Sequence, residues 1–308
     1  MANIKELSKI PEKLTGGHRL CSGCGASIVA RQVLMGTTSP VVVGSATGCL
    51  EVATTIYPYT AWAVPFIHNA FENVSATISG AETAYRALKK KGKIKKDIKF
   101  VAFGGDGGTY DIGLQSLSGA LERGHNFVYV CYNNEAYMNT GIQRSSATPT
   151  GASTTTAPAG KTSYGKPQLR KDLTAIVAAH NIPYVAQADV SNWNDLVTKS
   201  QKAFAVEGPA FLNVLSMCHR GWRFAPEDTI KISKLAVSTG FWPLIECENG
   251  KWRFTFKPKE RKPVVEFLKT QGRFKHLFKE ENKPILEEIQ KDIDRQWERL
   301  ERLVQATS

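Results

Sequence analysis

Short apolar runs alternate along most of the chain with segments in which apolar residues recur at helical spacing. Residues 98–103, 127–132 and 209–216 form nearly continuous apolar runs and predict buried strands, whereas residues 110–123 and 193–206 have the periodicity of amphipathic helices. Buried strands that alternate with helices are typical of a doubly wound, mainly parallel sheet. We therefore predict an α/β fold of this type.

The pattern changes after residue 240. Residues 242–248 and 252–257 flank the pair Asn249-Gly250 and predict a β-hairpin, and residues 283–304 carry one apolar stripe and predict an amphipathic helix. We predict an α/β domain over residues 1–240. Residues 241–308 are expected to form a C-terminal hairpin and helical extension that packs on the same domain or on a partner subunit.

Composition limits the classes of function. The 308 residues are 42% hydrophobic and 22% charged, which is typical of a globular protein. No apolar run approaches the roughly 20 residues that span a bilayer, and the first residues lack the apolar core of a signal peptide. We expect a cytoplasmic protein without a membrane partner. The net charge of +12 is dispersed over lysine-rich segments without a recognisable nucleic-acid module, so no nucleic-acid partner is expected.

Glycines and polar side chains follow two of the predicted strands. Gly105, Asp106, Gly107 and Gly108 follow the strand at 98–103, and Asn134 follows the next strand. The carboxyl ends of parallel strands meet at one crevice, where glycine lets backbone amides approach a diphosphate and carboxylate or amide oxygens ligate a divalent cation. Asp-Gly turns also occur without a ligand. The strand-helix-strand context nevertheless favours a Mg-diphosphate site.

A stretch rich in Ser, Thr, Pro and Gly follows at residues 142–166 and has no periodicity. Irregular segments of this length inside a compact domain are usually functional or disordered. Because this stretch begins at the ligand crevice, we expect it to cover the site.

The six cysteines fall into two groups. Cys131 and Cys247 lie within predicted strands and are expected to be inert buried residues. The other four lie beside glycine or at the end of an element: Cys21, Cys24, Cys49 and Cys218. Four thiolates suit either a structural zinc or a 4Fe-4S cluster. Zinc ribbons usually carry two Cys-x-x-Cys pairs, whereas this chain has one pair and two single cysteines, which favours a cluster.

Taken together, these motifs resemble the β subunits of pyruvate:ferredoxin oxidoreductases (pyruvate synthases), within the thiamine diphosphate-binding 2-oxoacid:ferredoxin oxidoreductase family. The resemblance extends over nearly the whole chain. Its most specific segments are residues 17–25, 46–52, 57–62, 67–73, 104–121, 134–141 and 271–277. One departure is His219 in the segment Cys218-His219-Arg220-Gly221-Trp222, where some members have proline; the cysteine itself is kept.

The resemblance implies roles for individual residues. Asp106, Asn134 and the backbone carbonyl of Ala136 are implied to ligate Mg²⁺, and Asn139 is implied to reach the substrate and the thiamine ring as the catalytic residue. The implied contacts to thiamine diphosphate are Gly105, Asp106, Gly107, Gly108, Asn134, Ala136 and Thr140. The implied ligands of one 4Fe-4S cluster are Cys21, Cys24, Cys49 and Cys218.

The resemblance also implies the reaction, which is the reversible oxidative decarboxylation of pyruvate with coenzyme A to acetyl-CoA and CO2. Electrons would pass singly from the thiamine-bound intermediate through the cluster to ferredoxin. Such enzymes need an activating glutamate on a separate pyrimidine-binding domain, for which this chain has no room. A complex with alpha, gamma and delta type subunits is therefore implied, and the lone chain is expected to be inactive.

Two alternatives remain open. The same chemistry could act on oxalate, 2-oxoglutarate or a branched-chain oxoacid. The second alternative is a non-catalytic, zinc-binding structural subunit in which the Gly-Asp-Gly turn holds nothing.

Overall fold

A single eight-stranded sheet organises the computed structural model, which describes residues 3–308. The strands are β1 (Val41–Ala46), β2 (Phe66–Asn69), β3 (Lys99–Gly105), β4 (Val128–Asn133), β5 (Tyr184–Asp189), β6 (Ala210–Leu215), β7 (Leu244–Glu248) and β8 (Lys251–Phe256). The helices are α1 (Ile4–Leu7), α2 (Gly25–Leu34), α3 (Cys49–Thr54), α4 (Val74–Lys90), α5 (Leu114–Glu122), α6 (Leu173–Ala178), α7 (Trp193–Ala205), α8 (His219–Trp222), α9 (Thr229–Ser238), α10 (Val265–Leu268) and α11 (Lys283–Thr307). A π-helix spans Gly107–Ile112, and 3-10 helices span Pro226–Asp228, Gly272–Phe278 and Glu280–Asn282.

The strands lie in the order β2-β1-β3-β4-β6-β5-β7-β8. Strands β1 to β6 pair in parallel, and β7 and β8 complete the sheet in antiparallel pairs. Every residue of β4, β5 and β6 is buried, which explains why these strands are so apolar in sequence. The predicted doubly wound α/β fold is confirmed.

The C-terminal hairpin is an extension of this sheet, because β7 pairs directly with β5. Helix α11 packs on the hairpin through Trp297. The indole of Trp297 stacks on Phe254 with ring centroids 5.0 Å apart and donates its N–H to the carbonyl of Gly240 at 2.7 Å. The last helix therefore has a binding surface within its own chain, while the domain boundary at residues 240/241 stays a prediction.

Two elements near the site were not predicted, β2 and α3. Only Asn69 is buried in the short edge strand β2, so the strand has no alternating pattern, and the six residues of α3 are too few to establish a helical period.

Within residues 3–308, no helix is both long and apolar enough to cross a membrane. The cytoplasmic location stays a prediction.

Candidate active site

Four neighbouring strands carry the predicted site residues just beyond their carboxyl ends. Asp106 follows β3 and Asn134 follows β4, and these strands are adjacent in the sheet. Cys49 follows β1 on one side and Cys218 follows β6 on the other. The order along the edge is therefore Cys49, Asp106, Asn134, Cys218, with the oxygen donors in the middle and the thiols outside.

The side-chain amide of Asn134 faces two oxygen acceptors after β3 and β4. The Asn134 Oδ1 lies 2.9 Å from the Asp106 Oδ1 and 2.8 Å from the carbonyl oxygen of Ala136. Rotating the amide would turn both contacts into hydrogen bonds. The separations, however, match the edge of about 2.9 Å of an octahedron of oxygens lying 2.0–2.1 Å from Mg²⁺. The position of the Asn134 amide therefore suits either two hydrogen bonds or a shared divalent cation.

Asp106 is completely buried and is held by two donors. The hydroxyl of Ser145 donates to Oδ2 at 2.5 Å, and the backbone N–H of Asn134 donates to Oδ1 at 3.2 Å. Burial raises the pKa of Asp106 to about 7, although both hydrogen bonds act to lower it. Without a cation, the ionised carboxylate is therefore an unfavourable group at this position.

Residues 142–166 support this site by hydrogen bonds, but none of them lines the cavity that opens above it. Ser145 and Thr148 are buried, and the hydroxyl of Thr148 donates to the carbonyl of Glu135 at 2.6 Å. The sequence predicted a cover, because this segment lacks periodicity and begins at the ligand crevice. In the structure its hydroxyls instead support Asp106 and the metal loop, which we define as residues 133–136.

A cavity of about 140 Å³ opens above the metal loop. The predicted residues that line it are Gly105, Asp106, Gly107, Asn134, Ala136, Asn139 and Thr140. Gly107 must be glycine here, because a Cβ would lie 2.4 Å from the ring of Tyr137. Gly108 does not line this cavity; it is buried in the π-helix against Phe71. Asn139 and Thr140 are exposed at the rim.

A second cavity of about 320 Å³ lies beside the first. Its walls include all four predicted thiols: Cys21, Cys24, Cys49 and Cys218. Cys131 and Cys247 are buried in β4 and β7 and do not line it. The two cavities share Cys49, Asn134 and Asn139.

Burial favours the protonated form of three of the four thiols in this second cavity, those of Cys24, Cys49 and Cys218. It raises the pKa of Cys24 to about 11 and that of Cys49 to about 12, and neighbouring cysteines add to both shifts. Burial also raises the pKa of Cys218, opposed by the backbone N–H of Gly221, which lies 3.4 Å from its sulfur. In the described part of the chain, no three His, Cys, Asp or Glu side chains are placed to hold one metal ion. The thiols instead surround a space.

Sequence reasoning missed two residues that support the site. Ser145 lies in a stretch where many hydroxyls look alike, and only the fold selects the one that reaches Asp106. Trp222 is completely buried and donates its indole N–H to the backbone carbonyl of Asn134 at 2.7 Å. Its position four residues after Cys218 was the available signal.

The fold and this edge define the chain as a thiamine diphosphate-binding α/β protein. Residues 43–214 match the family described as thiamine pyrophosphate enzyme, C-terminal TPP binding domain. Over 99% of its length the chain is 57% identical to pyruvate synthase subunit PorB of Thermotoga maritima, with 97% of that protein covered. The corresponding PorB of Methanocaldococcus jannaschii is 55% identical, over 92% of this chain and 94% of that protein. The chain belongs to the PorB family of pyruvate synthase subunits.

Two further comparisons extend this result. Ketoisovalerate oxidoreductase subunit VorB of Pyrococcus furiosus is 44% identical, over 98% of this chain and 97% of that protein. A solved 2-oxoglutarate:ferredoxin oxidoreductase from Magnetococcus marinus superimposes with a TM-score of 0.57 at 21% identity, covering 92% of this chain and 96% of that chain, and supports the fold. The family resemblance and the oxidoreductase class predicted from the sequence are confirmed, and the chain is one subunit of an enzyme complex.

Proposed function

We propose that this chain carries half of the thiamine diphosphate site and one 4Fe-4S site of a complex that interconverts pyruvate plus coenzyme A with acetyl-CoA plus CO2. Electrons would leave through the cluster, by way of the complex, to ferredoxin. The observation that carries the proposal is the wall between the two cavities. Cys49, Asn134 and Asn139 line both of them, so a group bound in one cavity lies directly beside a group bound in the other.

The metal loop fits a magnesium diphosphate. Asp106, Asn134 and the carbonyl of Ala136 would hold Mg²⁺, because their oxygens already have the spacing of an octahedral edge. Gly105 and Gly107 present backbone without side chains to the cavity, which allows close approach of phosphate oxygens. A thiamine diphosphate bound here would supply the electron-accepting chemistry that releases CO2 from a 2-oxoacid.

The second cavity fits a cluster better than a zinc ion. A structural zinc is enclosed by four ligands at about 2.0–2.3 Å and leaves no space between them. The four thiols here line about 320 Å³, which is room for a polynuclear group. Cys49, on the shared wall, would bring that group next to the thiamine cavity.

The site is completed by another chain. A cavity of about 140 Å³ is smaller than the roughly 300–1,000 Å³ of a typical ligand pocket, so it can enclose only part of the cofactor. Asn139, which we propose contacts the substrate, and Thr140 are exposed at the open rim. We propose partner subunits of the alpha, gamma and delta types, one of which covers this rim.

Pyruvate is the substrate that the relatives favour. The two PorB proteins are 57% and 55% identical to this chain, whereas the ketoisovalerate oxidoreductase subunit is 44% identical. The test is CoA-dependent viologen reduction by the co-purified complex with pyruvate, 2-oxoglutarate, oxalate and 2-ketoisovalerate in parallel. Pyruvate should give the highest kcat/KM, and the lone chain should be inactive.

Three outcomes would contradict these statements separately. Faster turnover of another oxoacid would make the substrate wrong. Turnover by the lone chain would make the half-site wrong. Failure of every oxoacid in a complex that contains thiamine and cluster would make the proposed reaction wrong.

A further inference from the structure

Arg273 is a buried cation that the proposed function leaves without a role. It lies in the segment 271–277, which stood out in the sequence but which neither cavity includes. Its side chain is 2% exposed, and its guanidinium carbon lies 3.9 Å from the centre of the Trp222 ring. Its Nε donates to the side chain of Gln271 at 2.9 Å.

The contacts of Arg273 reach both candidate cofactor sites. Its Nη2 donates to the Glu135 carboxylate at 2.5 Å, and Glu135 lies between Asn134 and Ala136 in the metal loop. Trp222, on which it stacks, is the last residue of α8 and donates to the carbonyl of Asn134. Cys218 immediately precedes this helix, and we call residues 218–222 the Cys218 loop. These contacts form a closed ring that joins the metal loop, the Cys218 loop and the 3-10 helix at Gly272–Phe278.

The metal loop needs such a restraint because of its backbone. Glu135 has φ 68°, in the left-handed region that costs energy for a residue with a side chain, and it is completely buried. Two cations hold its carboxylate, Arg273 at 2.5 Å and Arg170 at 2.6 Å. Because two positive charges meet one negative charge, the cluster of three side chains keeps a net positive charge.

The two arginines place their positive charges against different parts of the structure. Arg170 stacks on Phe241, with its guanidinium carbon 4.4 Å from the ring centre. Arg273 faces the Cys218 loop, because its guanidinium stacks on Trp222, four residues after Cys218. Burial lowers the pKa of Arg273 only to about 10, with Glu135 opposing the shift, so the guanidinium is charged at neutral pH.

We propose that Arg273 is a positioning residue for both cofactor sites. It clamps the metal loop to the Cys218 loop through Glu135 and Trp222. It also places a fixed positive charge on the Trp222 ring, four residues from Cys218, that makes a bound cluster easier to reduce. This inference rests on the proposed function, because it assumes that the four thiols hold a cluster.

The test compares Arg273→Gln and Arg273→Lys with Arg170→Gln, a matched control that removes the other partner of Glu135. All are made in the complete complex. Cys49→Ala first identifies which spin-resonance signal belongs to this chain. A potentiometric titration then follows that signal, and calorimetry measures the affinity for Mg-thiamine diphosphate.

In Arg273→Gln the ratio of reduced to oxidised cluster at a fixed potential should fall on the order of tenfold, which corresponds to about 59 mV for one electron, and cofactor affinity should fall too. Arg273→Lys should retain the potential but still weaken cofactor binding, because lysine cannot pair and stack with a planar fork. Arg170→Gln should leave the potential unchanged.

Equal potentials in Arg273→Gln and the wild type, or equal shifts in Arg273→Gln and Arg170→Gln, would overturn the inference. If the Gln variant does not assemble, Arg273→Lys decides, since unchanged cofactor affinity there would overturn the clamp. A Cys49→Ala complex that loses no signal would instead contradict the proposed cluster.

Discussion

Replacing Asp106 by Asn tests the proposed magnesium site without a change of shape. The side chain is completely buried, and asparagine can retain an oxygen toward Asn134 while the Ser145 hydroxyl rotates to accept from its amide. The fold should therefore survive. The substitution removes the negative charge of the carboxylate, which would bind a cation more strongly than the neutral oxygens of Asn134 and Ala136.

The magnitude follows from the burial of the carboxylate. A pKa raised from 3.8 to about 7 corresponds to about 4 kcal/mol of unfavourable free energy for the ionised form in the metal-free protein. Because the folded-state pKa lies above the unfolded-state value, the protonated form stabilises the fold fully below about pH 4. That stabilisation is lost as the pH rises through 7. The Asp106→Asn protein has no such dependence.

The assay is thermal melting of the complex at pH 5 and pH 8, with and without Mg-thiamine diphosphate. Without cofactor at pH 8, Asp106→Asn should melt above the wild type, and the difference should shrink at pH 5. The cofactor should raise the melting temperature of the wild type, since it binds only the folded state, and should have little effect on Asp106→Asn.

Asp97→Asn, at an exposed carboxylate paired with Lys89, is the control and should behave as wild type. Equal stabilisation of both proteins by cofactor would refute the magnesium assignment, and a cofactor-free Asp106→Asn that melts lower at pH 8 would refute the burial argument.

Three further predictions concern other buried groups. Cys49→Ala should abolish a broad visible absorption band and its reducible paramagnet in the complex, whereas Cys247→Ala, at a buried cysteine away from the cavity, should retain both; an unchanged Cys49→Ala spectrum would contradict the cluster. Lys199→Met should lower the urea midpoint by an amount equivalent to about 3–5 kcal/mol, because it removes the buried cation that lies 2.6 Å from the carboxylate of Asp195. A loss under about 1 kcal/mol would show that the ion pair does not stabilise the fold. Burial lowers the pKa of Lys166 from 10.5 to about 8, so the folded state releases this proton at a lower pH than the unfolded state. The wild type should therefore gain stability relative to Lys166→Met as the pH rises from 8 to 10.5. A difference in denaturant midpoints that does not change with pH would contradict this.

The sequence predicted the parts of the site that depend on local order. The glycines around Asp106 and the placement of Asn134 after a strand are short-range signals, and parallel strands bring such positions to one edge without further information. The same holds for Cys49 and Cys218, each at the end of a strand.

Residues that act from a distance could not be found in this way. Ser145 contacts Asp106 across 39 positions of the chain, and Arg273 contacts Glu135 across 138. No spacing rule connects such pairs, because the contact depends on how an irregular segment and a 3-10 helix pack against the sheet. The segment 271–277 was recognisable as specific, but only the fold relates it to the metal loop.

The arrangement of charge also bears on the alternative of a zinc-binding scaffold with an empty Gly-Asp-Gly turn. In a scaffold, the buried carboxylate of Asp106 would destabilise the protein at neutral pH, and asparagine would relieve that cost with the same shape. A structural zinc site would also have no need to adjoin a second cavity, whereas the thiol-lined cavity here shares Asn134 and Asn139 with the cavity above the metal loop. Both features are explained if a cation compensates Asp106 and if the groups in the two cavities exchange electrons across the wall at Cys49. The metal loop, strained at Glu135 and held by Arg273, is then the element on which both cofactor sites depend.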